Sequence, residues 1–250
     1  MDPSFIDDAC ATLQTAVDVL RSTTTTTNAP SPSRERLAAV AEGLKSEAAK
    51  VGFMFAQKDG LPTAVVAASL IAGLRDTCTA LCMLLAAAAA GGGPTLYACL
   101  VSTASLVVEA VTALIRGAAA AATATTAAAE SAEQLPPIAG LVMERCDAAA
   151  KAPMDDKTAI GRAIASVARQ IADASVELRQ ELGQEKTEEG EEEEDGDNAT
   201  TSDVVVLELT KGVVDAACDV VRSTMQVLLR ADASLQGDGD QWVRLSLCYC

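Results

Sequence analysis

Asp155 and Asp156 form an adjacent carboxylate pair that could carry out acid–base chemistry. Two carboxyl groups can act as general acid and general base when their surroundings separate their pKa values. The same pair, however, immediately precedes the most regular amphipathic segment of the chain. Aspartate is favoured at such a position as a helix cap and by the helix dipole. We therefore interpret the pair as helix-capping residues.

Cysteines and acidic residues offer possible ligands for metal ions. Cys78 and Cys82 are one helical turn apart, but no second cysteine pair and no histidine completes a zinc site. The acidic run Glu191–Asp195 lacks the regular ligand spacing and the fixed glycine of a calcium loop. We expect the cysteines to pack in the core and the acidic run to be solvated, with no metal and no cofactor.

Gly91-Gly92-Gly93-Pro94 could cradle a phosphate group through its backbone N–H groups. Glycine loops that bind phosphate follow a strand and lead into Lys-Ser or Lys-Thr, and this sequence has neither feature. We therefore predict a turn between two helices at this position.

The overall composition excludes further classes of function. The 250 residues include no histidine, which removes the commonest general base and the Cys/His zinc sites. There are 35 acidic residues against 19 Lys and Arg, a net charge of −16, whereas contacts with nucleic-acid phosphates need clustered basic side chains. We predict a binding or scaffolding protein that is not an enzyme and that makes no direct contact with nucleic acid.

The start of the chain and its most apolar stretch bear on cellular location. Residues 1–5 show neither the basic nor the apolar region of a secretory signal. Residues 77–108 are 32 consecutive uncharged residues. The glycine turn divides them into halves of 14 residues, short of the roughly 17–25 residues that a membrane span needs. We expect an interior helical hairpin and no membrane.

All of these residues lie in or beside predicted helices, because apolar residues recur at three- and four-residue steps almost throughout the chain. Two helices are predicted before Asp59, with a Thr/Pro/Ser linker from Thr23 to Pro32 between them. Further helices are predicted at about 62–90, at about 94–122, from Pro136-Pro137, after Asp155-Asp156, and at about 203–231.

Three of the predicted helices carry an apolar stripe, which in the first helix consists of Ile6, Leu13, Val17 and Leu20. In the helix after Asp155-Asp156 we predict Ile164 and Ile171 as core residues, because charged residues occupy the opposite face, as in a bundle seam. The last helix has a heptad-like stripe, which must be covered either by docking back on the 1–184 bundle or by a partner or a second copy, and we favour the second outcome. The stripes of these two helices are Ile160, Ile164, Val167, Ile171, Ala174 and Leu178, and Leu209, Val213, Ala217, Val220, Thr224 and Val227.

Low-complexity segments complete the organisation of the chain. The alanine runs 86–90 and 118–122 could be exposed extensions or close-packing surfaces, and we favour exposure. Nine acidic residues and two glycines fall between Glu185 and Asp197, and this composition predicts disorder.

The predicted fold class is all-α: an antiparallel helical bundle of five or more helices, with an acidic disordered linker and one further C-terminal helix. The predicted domains are a helical bundle at 1–184, the linker at 185–202, and a partial C-terminal helical region at 203–250.

Several sequence strings resemble those of one family. They are Gly91-Gly-Gly-Pro-Thr-Leu96, Gln134-Leu-Pro-Pro-Ile138 with Glu144-Arg-Cys146, Lys151-Ala-Pro153, and Thr158-Ala-Ile-Gly-Arg-Ala-Ile164 running on to Val176-Glu-Leu-Arg179. Over about residues 33–182 their order and spacing resemble the D-type-cyclin-binding protein (GCIP) family, especially its plant-type members. The region before residue 33 and the alanine runs depart from the family, and the chain ends at Cys250 where the family continues with further helices.

The resemblance implies a helical bundle without catalysis, located in the cytoplasm and the nucleus. It implies a protein partner, namely a D-type cyclin or a helix-loop-helix-type protein, and a function in restraining cell-cycle progression. No partner-binding residues are carried over from the family, and the oligomeric state is left open.

Two other functions remain open from the sequence. Stacked amphipathic helices also form adaptors or scaffolds in signalling and the cytoskeleton, because a fold does not determine a function. A small-molecule carrier that uses the apolar interior is a third possibility, but no polar anchoring group converges in the interior pattern.

Overall fold

The computed structural model describes residues 3–22, 32–57, 61–122, 126–188 and 201–233. Within these residues the chain forms seven helices and no strand, which confirms the all-α class. The helices are α1 (Pro3–Ser22), α2 (Arg34–Ala56), α3 (Ala64–Ala89), α4 (Pro94–Ala121), α5 (Thr126–Ala150), α6 (Asp156–Glu188) and α7 (Thr201–Ala233).

Local chemistry explains where several helices begin and end. The Ser33 hydroxyl oxygen caps α2 by accepting a hydrogen bond from the backbone N–H of Arg36 at 3.2 Å. Pro94 stands at the start of α4, where its missing N–H removes no helical hydrogen bond. Gly91 has a φ of 83°, a backbone conformation that favours glycine. The predicted turn between α3 and α4 is therefore confirmed.

Helices α2 to α5 form a four-helix ring. Each of α2 and α4 packs against both α3 and α5. The ion pair between Lys45 Nζ and Asp147 Oδ1, at 3.0 Å, joins α2 to α5, and seven residues further along α2 Gly52 faces Ala139. Because residue numbers rise along α2 while they fall along α5, the two helices are antiparallel.

The core of this ring contains both large aliphatic residues and the alanine runs. Phe55, Leu74 and Leu114 are among the largest fully buried side chains. The expected exposure of the alanine runs is wrong, because Ala120 alone of their ten members is exposed, and five are buried: Ala86, Ala88, Ala89, Ala118 and Ala121. Their small side chains allow neighbouring helices to approach closely, so the runs serve as packing surfaces.

Helix α5 begins earlier than predicted. It starts at Thr126, ten residues before Pro136-Pro137, so both prolines lie inside the helix. A proline in a helix removes one hydrogen bond and crowds the preceding turn. Here both proline side chains are exposed, while Leu135, Ala139 and Val142 are buried on the other face. Tertiary packing on both sides of the prolines therefore overrides the local preference for a helix end.

Helix α1 packs against α3 and α4. Its predicted apolar stripe is confirmed as buried: Ile6, Leu13, Val17 and Leu20. At the end of α1 the Tyr97 hydroxyl donates hydrogen bonds to the carbonyl oxygens of Leu20, at 3.4 Å, and of Arg21.

The chain divides into two compact units, residues 1–159 and 160–250. This division falls inside α6, whereas the predicted bundle domain extends to residue 184; the predicted domain boundaries remain a prediction. Helix α6 continues to Glu188, past the predicted start of the acidic linker at Glu185. The rest of that linker up to residue 200, and residues 23–31 of the Thr/Pro/Ser linker, lie outside the described residues.

Helices α3 and α4 are also long and apolar enough to cross a membrane, by length and composition alone. They contain 26 and 28 residues, so the expectation that the two halves are too short for a span is wrong. In the bundle, 39% and 44% of their most apolar stretches are buried. Core helices of water-soluble proteins meet the same criterion, so this finding is weak evidence for a membrane, and the expected absence of a membrane remains a prediction.

Candidate partner-binding surface

Asp155 is used as a helix cap, as predicted. Its carboxylate accepts hydrogen bonds from the backbone N–H of Thr158, at 2.7 Å, and from the Thr158 hydroxyl, at 2.8 Å. These bonds satisfy an N–H group that has no partner within the first turn of α6.

Asp156 has a different role, which the sequence did not indicate. Its carboxylate accepts a hydrogen bond from the backbone N–H of Gly93, at 2.7 Å, and so joins the start of α6 to the α3–α4 turn. A Cβ at position 93 would lie 2.8 Å from the same carboxylate oxygen, so the contact also needs glycine there. The structure thus brings together two motifs that are 63 residues apart in the sequence. Asp156 positions the start of α6 against the α3–α4 turn.

We expect Asp156→Ala to destabilise the chain by about 1 kcal/mol, because it leaves the Gly93 N–H without this acceptor. The value is below that of a buried charged hydrogen bond, because Asp156 is partly exposed. Asp156→Asn keeps an acceptor oxygen, so its destabilisation should be less than half of that in Asp156→Ala. Urea unfolding together with hydrogen exchange at the Gly93 amide measures both effects; unchanged protection of that amide in Asp156→Ala would contradict the assignment.

The central cysteines are core residues, as predicted. Cys78 and Cys82 on α3 and Cys146 on α5 are buried. Among the described residues no group of three or more Cys, Asp or Glu side chains could hold a metal ion. The acidic run Glu191–Asp195 lies outside the described residues, so the structure says nothing about calcium there.

Burial should make these thiols unreactive. Desolvation raises the pKa of Cys146 to about 12, so it carries almost no thiolate near pH 8. A hydrogen bond with Cys78 lowers the pKa of Cys82, but its side chain is closed to solvent. At pH 8 we expect iodoacetamide to modify the half-buried Cys10, Cys99 and Cys218 before the other three described cysteines. Mass spectrometry of the peptides checks this order, and modification of Cys146 as fast as Cys99 would contradict it.

Beyond Ala159, helix α6 is poorly covered. Its stripe was expected to lie in the core, but Ile160 is 37% and Val167 is 46% exposed, and Ile164 and Ile171 are only half-buried. The prediction that Ile164 and Ile171 are core residues is therefore wrong. Periodicity identified which residues share a face of the helix, but it could not show that no neighbouring element buries that face. We call Ile160, Ile164, Val167 and Ile171 the α6 stripe.

Helix α7 is covered even less. Leu209, Val213, Val220 and Val227 are between 64% and 69% exposed. They repeat at four- and seven-residue steps on one side of the helix, and we call them the α7 stripe. Among the described side chains from residue 160 to residue 227, Ser175 alone is buried, and no apolar side chain is. Exposed apolar stripes on these two consecutive helices, with no buried apolar side chain among the described residues from 160 to 227, are a candidate surface for protein contacts.

A second exposed apolar surface lies in the 1–159 unit. Phe53 near the end of α2, and Leu61, Val65 and Val66 around the start of α3, are all exposed. They flank the short connection between these two helices. The sequence predicted partner binding without assigning a site, and exposure in the folded chain is what identifies these residues.

The chain is similar to one protein family over more than half of its length. A family model described as "Grap2 and cyclin-D-interacting, N-terminal" matches residues 36–184, which run from the first turn of α2 into the last turns of α6. No curated protein and no solved structure shows a significant match to the chain.

Proposed function

This chain belongs to the Grap2 and cyclin-D-interacting family, and on that basis we propose that it is a non-enzymatic, protein-binding regulator that restrains cell-cycle progression. The proposed partner is a D-type cyclin or a related helical protein, such as one of the helix-loop-helix type. The family description supports the cyclin as the partner, and the exposed apolar helices support protein binding as the activity.

The observation that carries the proposal is that no apolar side chain described on α6 and α7 between residue 160 and residue 227 is buried. The stripes of both helices consist of large aliphatic side chains, none of which is buried among the described residues. Large exposed apolar areas are unfavourable in water and are typical of surfaces that bind a partner. An aliphatic helix face fits a groove between helices of another protein.

The proposed absence of catalysis has support of its own. Of the two adjacent carboxylates, Asp155 caps α6, and Asp156 joins the start of α6 to the α3–α4 turn through a hydrogen bond. The cysteines 78, 82 and 146 are buried, which suits packing rather than nucleophilic attack.

Binding of the purified chain to a purified D-type cyclin, measured by calorimetry, tests the proposal. Val167→Asp in the α6 stripe and Val220→Asp in the α7 stripe should each weaken binding by about thirtyfold or more, because a charge would replace an apolar contact. Neither side chain is buried, so the fold should survive both changes.

Matched controls lie beside each stripe. Ser166→Asp and Gln226→Asp introduce the same charge at exposed positions off the stripes, one residue from Val167 and from Val227, and they should leave cyclin affinity within about twofold. Absence of binding by the wild-type chain would refute the cyclin as partner, and equal losses in variants and controls would refute the stripes as the contact.

The cellular part of the proposal is a protein of the cytoplasm and the nucleus that delays entry into DNA synthesis. A fluorescently tagged chain expressed in dividing cells should appear in both compartments and lengthen the interval before DNA synthesis. The Val167→Asp and Val220→Asp variants should lose the delay. A wild-type chain that leaves the interval unchanged would contradict this function.

A second candidate is an adaptor that holds two proteins together. The family description names two interacting proteins, and the two compact units each carry an exposed apolar surface. An adaptor should bind two partners at once, so Phe53→Asp would remove one partner and Val220→Asp the other. Competition between the two partners for one surface would rule the adaptor out.

A further inference from the structure

Helix α1 is an addition to a bundle that is already closed. The family match begins at residue 36, after α1 has ended. Helices α2 to α5 form a complete ring without α1, in which α2 and α4 each contact α3 and α5. Helix α1 lies on the outside of this ring, where it packs against α3 and α4.

Helix α1 occupies the groove between α3 and α4 through one face. The buried face consists only of alanine and branched aliphatic residues: Ile6, Ala9, Leu13, Ala16, Val17 and Leu20. The acidic residues Asp7, Asp8 and Asp18 lie on exposed positions. This is the pattern of an amphipathic helix bound in the groove of another protein, with anchors at three- and four-residue steps.

The groove also recognises the end of the helix. The last carbonyl oxygens of a helix have no partner within it. The Tyr97 hydroxyl, at the start of α4, donates its hydrogen to the carbonyl oxygens at the end of α1, namely those of Leu20, at 3.4 Å, and Arg21. The Arg21 guanidinium donates to the Ser105 hydroxyl oxygen at 3.4 Å. A helix therefore binds here in one register, with its C-terminus at Tyr97.

The chemistry of the groove selects an uncharged, aliphatic ligand. Residues 77–108, which run from the middle of α3 to the middle of α4, include no charged side chain in a protein of net charge −16. Without α1 this apolar groove would be open to water, and apolar surface of that kind is covered in stable proteins.

We propose that the groove between α3 and α4 is a docking site for an amphipathic helix of a partner protein, and that α1 is the internal cover which this helix replaces. The replacing helix carries small aliphatic anchors at the spacing of α1 and ends at Tyr97. This inference does not depend on which protein the family domain binds. Residues 23–31 join the cover to the bundle, and nine extended residues reach about 30 Å, so α1 can leave while it stays attached.

Binding of a labelled α1 peptide, residues 3–22, to the full chain tests the proposal by fluorescence anisotropy. Leu13→Asp places a charge on the buried stripe, so the attached α1 should leave the groove. The attached cover competes at an effective concentration near the millimolar range, so the peptide should bind Leu13→Asp at least about tenfold more tightly than wild type. Gln14→Asp, at the neighbouring exposed position, should behave like wild type.

A second peptide tests the ligand class. It keeps the six buried residues of α1 together with Phe5, Cys10 and Arg21, which also contact the bundle, and replaces all other positions by Ala, Glu or Lys. Equal binding of this peptide supports a groove that recognises the stripe of any suitable helix. Adding Tyr97→Phe to the Leu13→Asp chain removes the hydroxyl at the helix end and should weaken both peptides about fivefold, the effect of one hydrogen bond.

If Leu13→Asp does not fold, a second form of the protein replaces it. This is the wild-type chain with a protease site inserted between Thr24 and Thr25, which is cut after purification. Exchange of the labelled peptide into this cut, folded chain supports the proposal. The proposal is overturned by the absence of binding or exchange in a folded chain, by equal binding to wild type and Leu13→Asp, or by binding of the native peptide alone. A wild-type dimer formed by exchange of α1 would make a second copy the occupant and would also overturn it.

Discussion

Phe55→Ala should destabilise the chain by about 3–5 kcal/mol, one of the largest losses expected from a single substitution. Phe55 is the largest fully buried side chain among the described residues, and it lies in the last turn of α2. Truncation removes its transfer free energy and leaves a cavity that helices held in a ring cannot close. Urea unfolding followed by circular dichroism measures the change in the free energy of unfolding.

Phe53 provides a matched control on the same helix. It lies two residues away, but its side chain is 66% exposed. Phe53→Ala should therefore change the free energy of unfolding by no more than about 0.5 kcal/mol. Similar losses for the two phenylalanines would show that the buried face of α2 is wrongly assigned.

Gly52→Val should destabilise the chain by about 3 kcal/mol, because α2 and α5 are in close contact at this position. A Cβ at residue 52 would lie 2.7 Å from the Cβ of Ala139 and 3.7 Å from the carbonyl oxygen of Leu135. Neither group can rotate away, so the two helices must separate. Thermal and urea unfolding of the variant measure the loss.

Gly140→Val is the matching control, on the other helix of the same pair. A Cβ at position 140 would have no neighbour within 4 Å. The change should therefore stay within about 0.5 kcal/mol, because valine has a slightly better helix propensity than glycine and meets no obstacle. A large loss of stability in this control would show that valine destabilises these helices even where there is no close contact between them.

The α6 and α7 stripes and the groove between α3 and α4 differ in what they require of a partner. The α6 and α7 stripes are open in the folded chain, so a partner can bind them directly. The groove between α3 and α4 is filled by α1, so its ligand has to compete. Binding that is strengthened by Leu13→Asp therefore identifies the groove, whereas binding that is lost in Val220→Asp identifies the α7 stripe.

The sequence by itself determined most of the secondary structure. Three- and four-residue periodicity located the helices, and the glycine run marked the α3–α4 turn. These features are local, since they depend on residues within a few turns of one another. The buried stripe of α1 was predicted for the same reason. The motifs shared with the family also lie along single helices and turns.

Only the tertiary structure decided which helix faces are buried and which groups Asp156 and Tyr97 contact. It continued α5 through Pro136-Pro137, buried half of the residues in the alanine runs, and left the stripe of α6 half-exposed. It also placed Asp156 on Gly93 and Tyr97 on the end of α1. Each of these outcomes depends on the register between helices that are distant in the sequence, and a periodic pattern within one helix contains no information about that register.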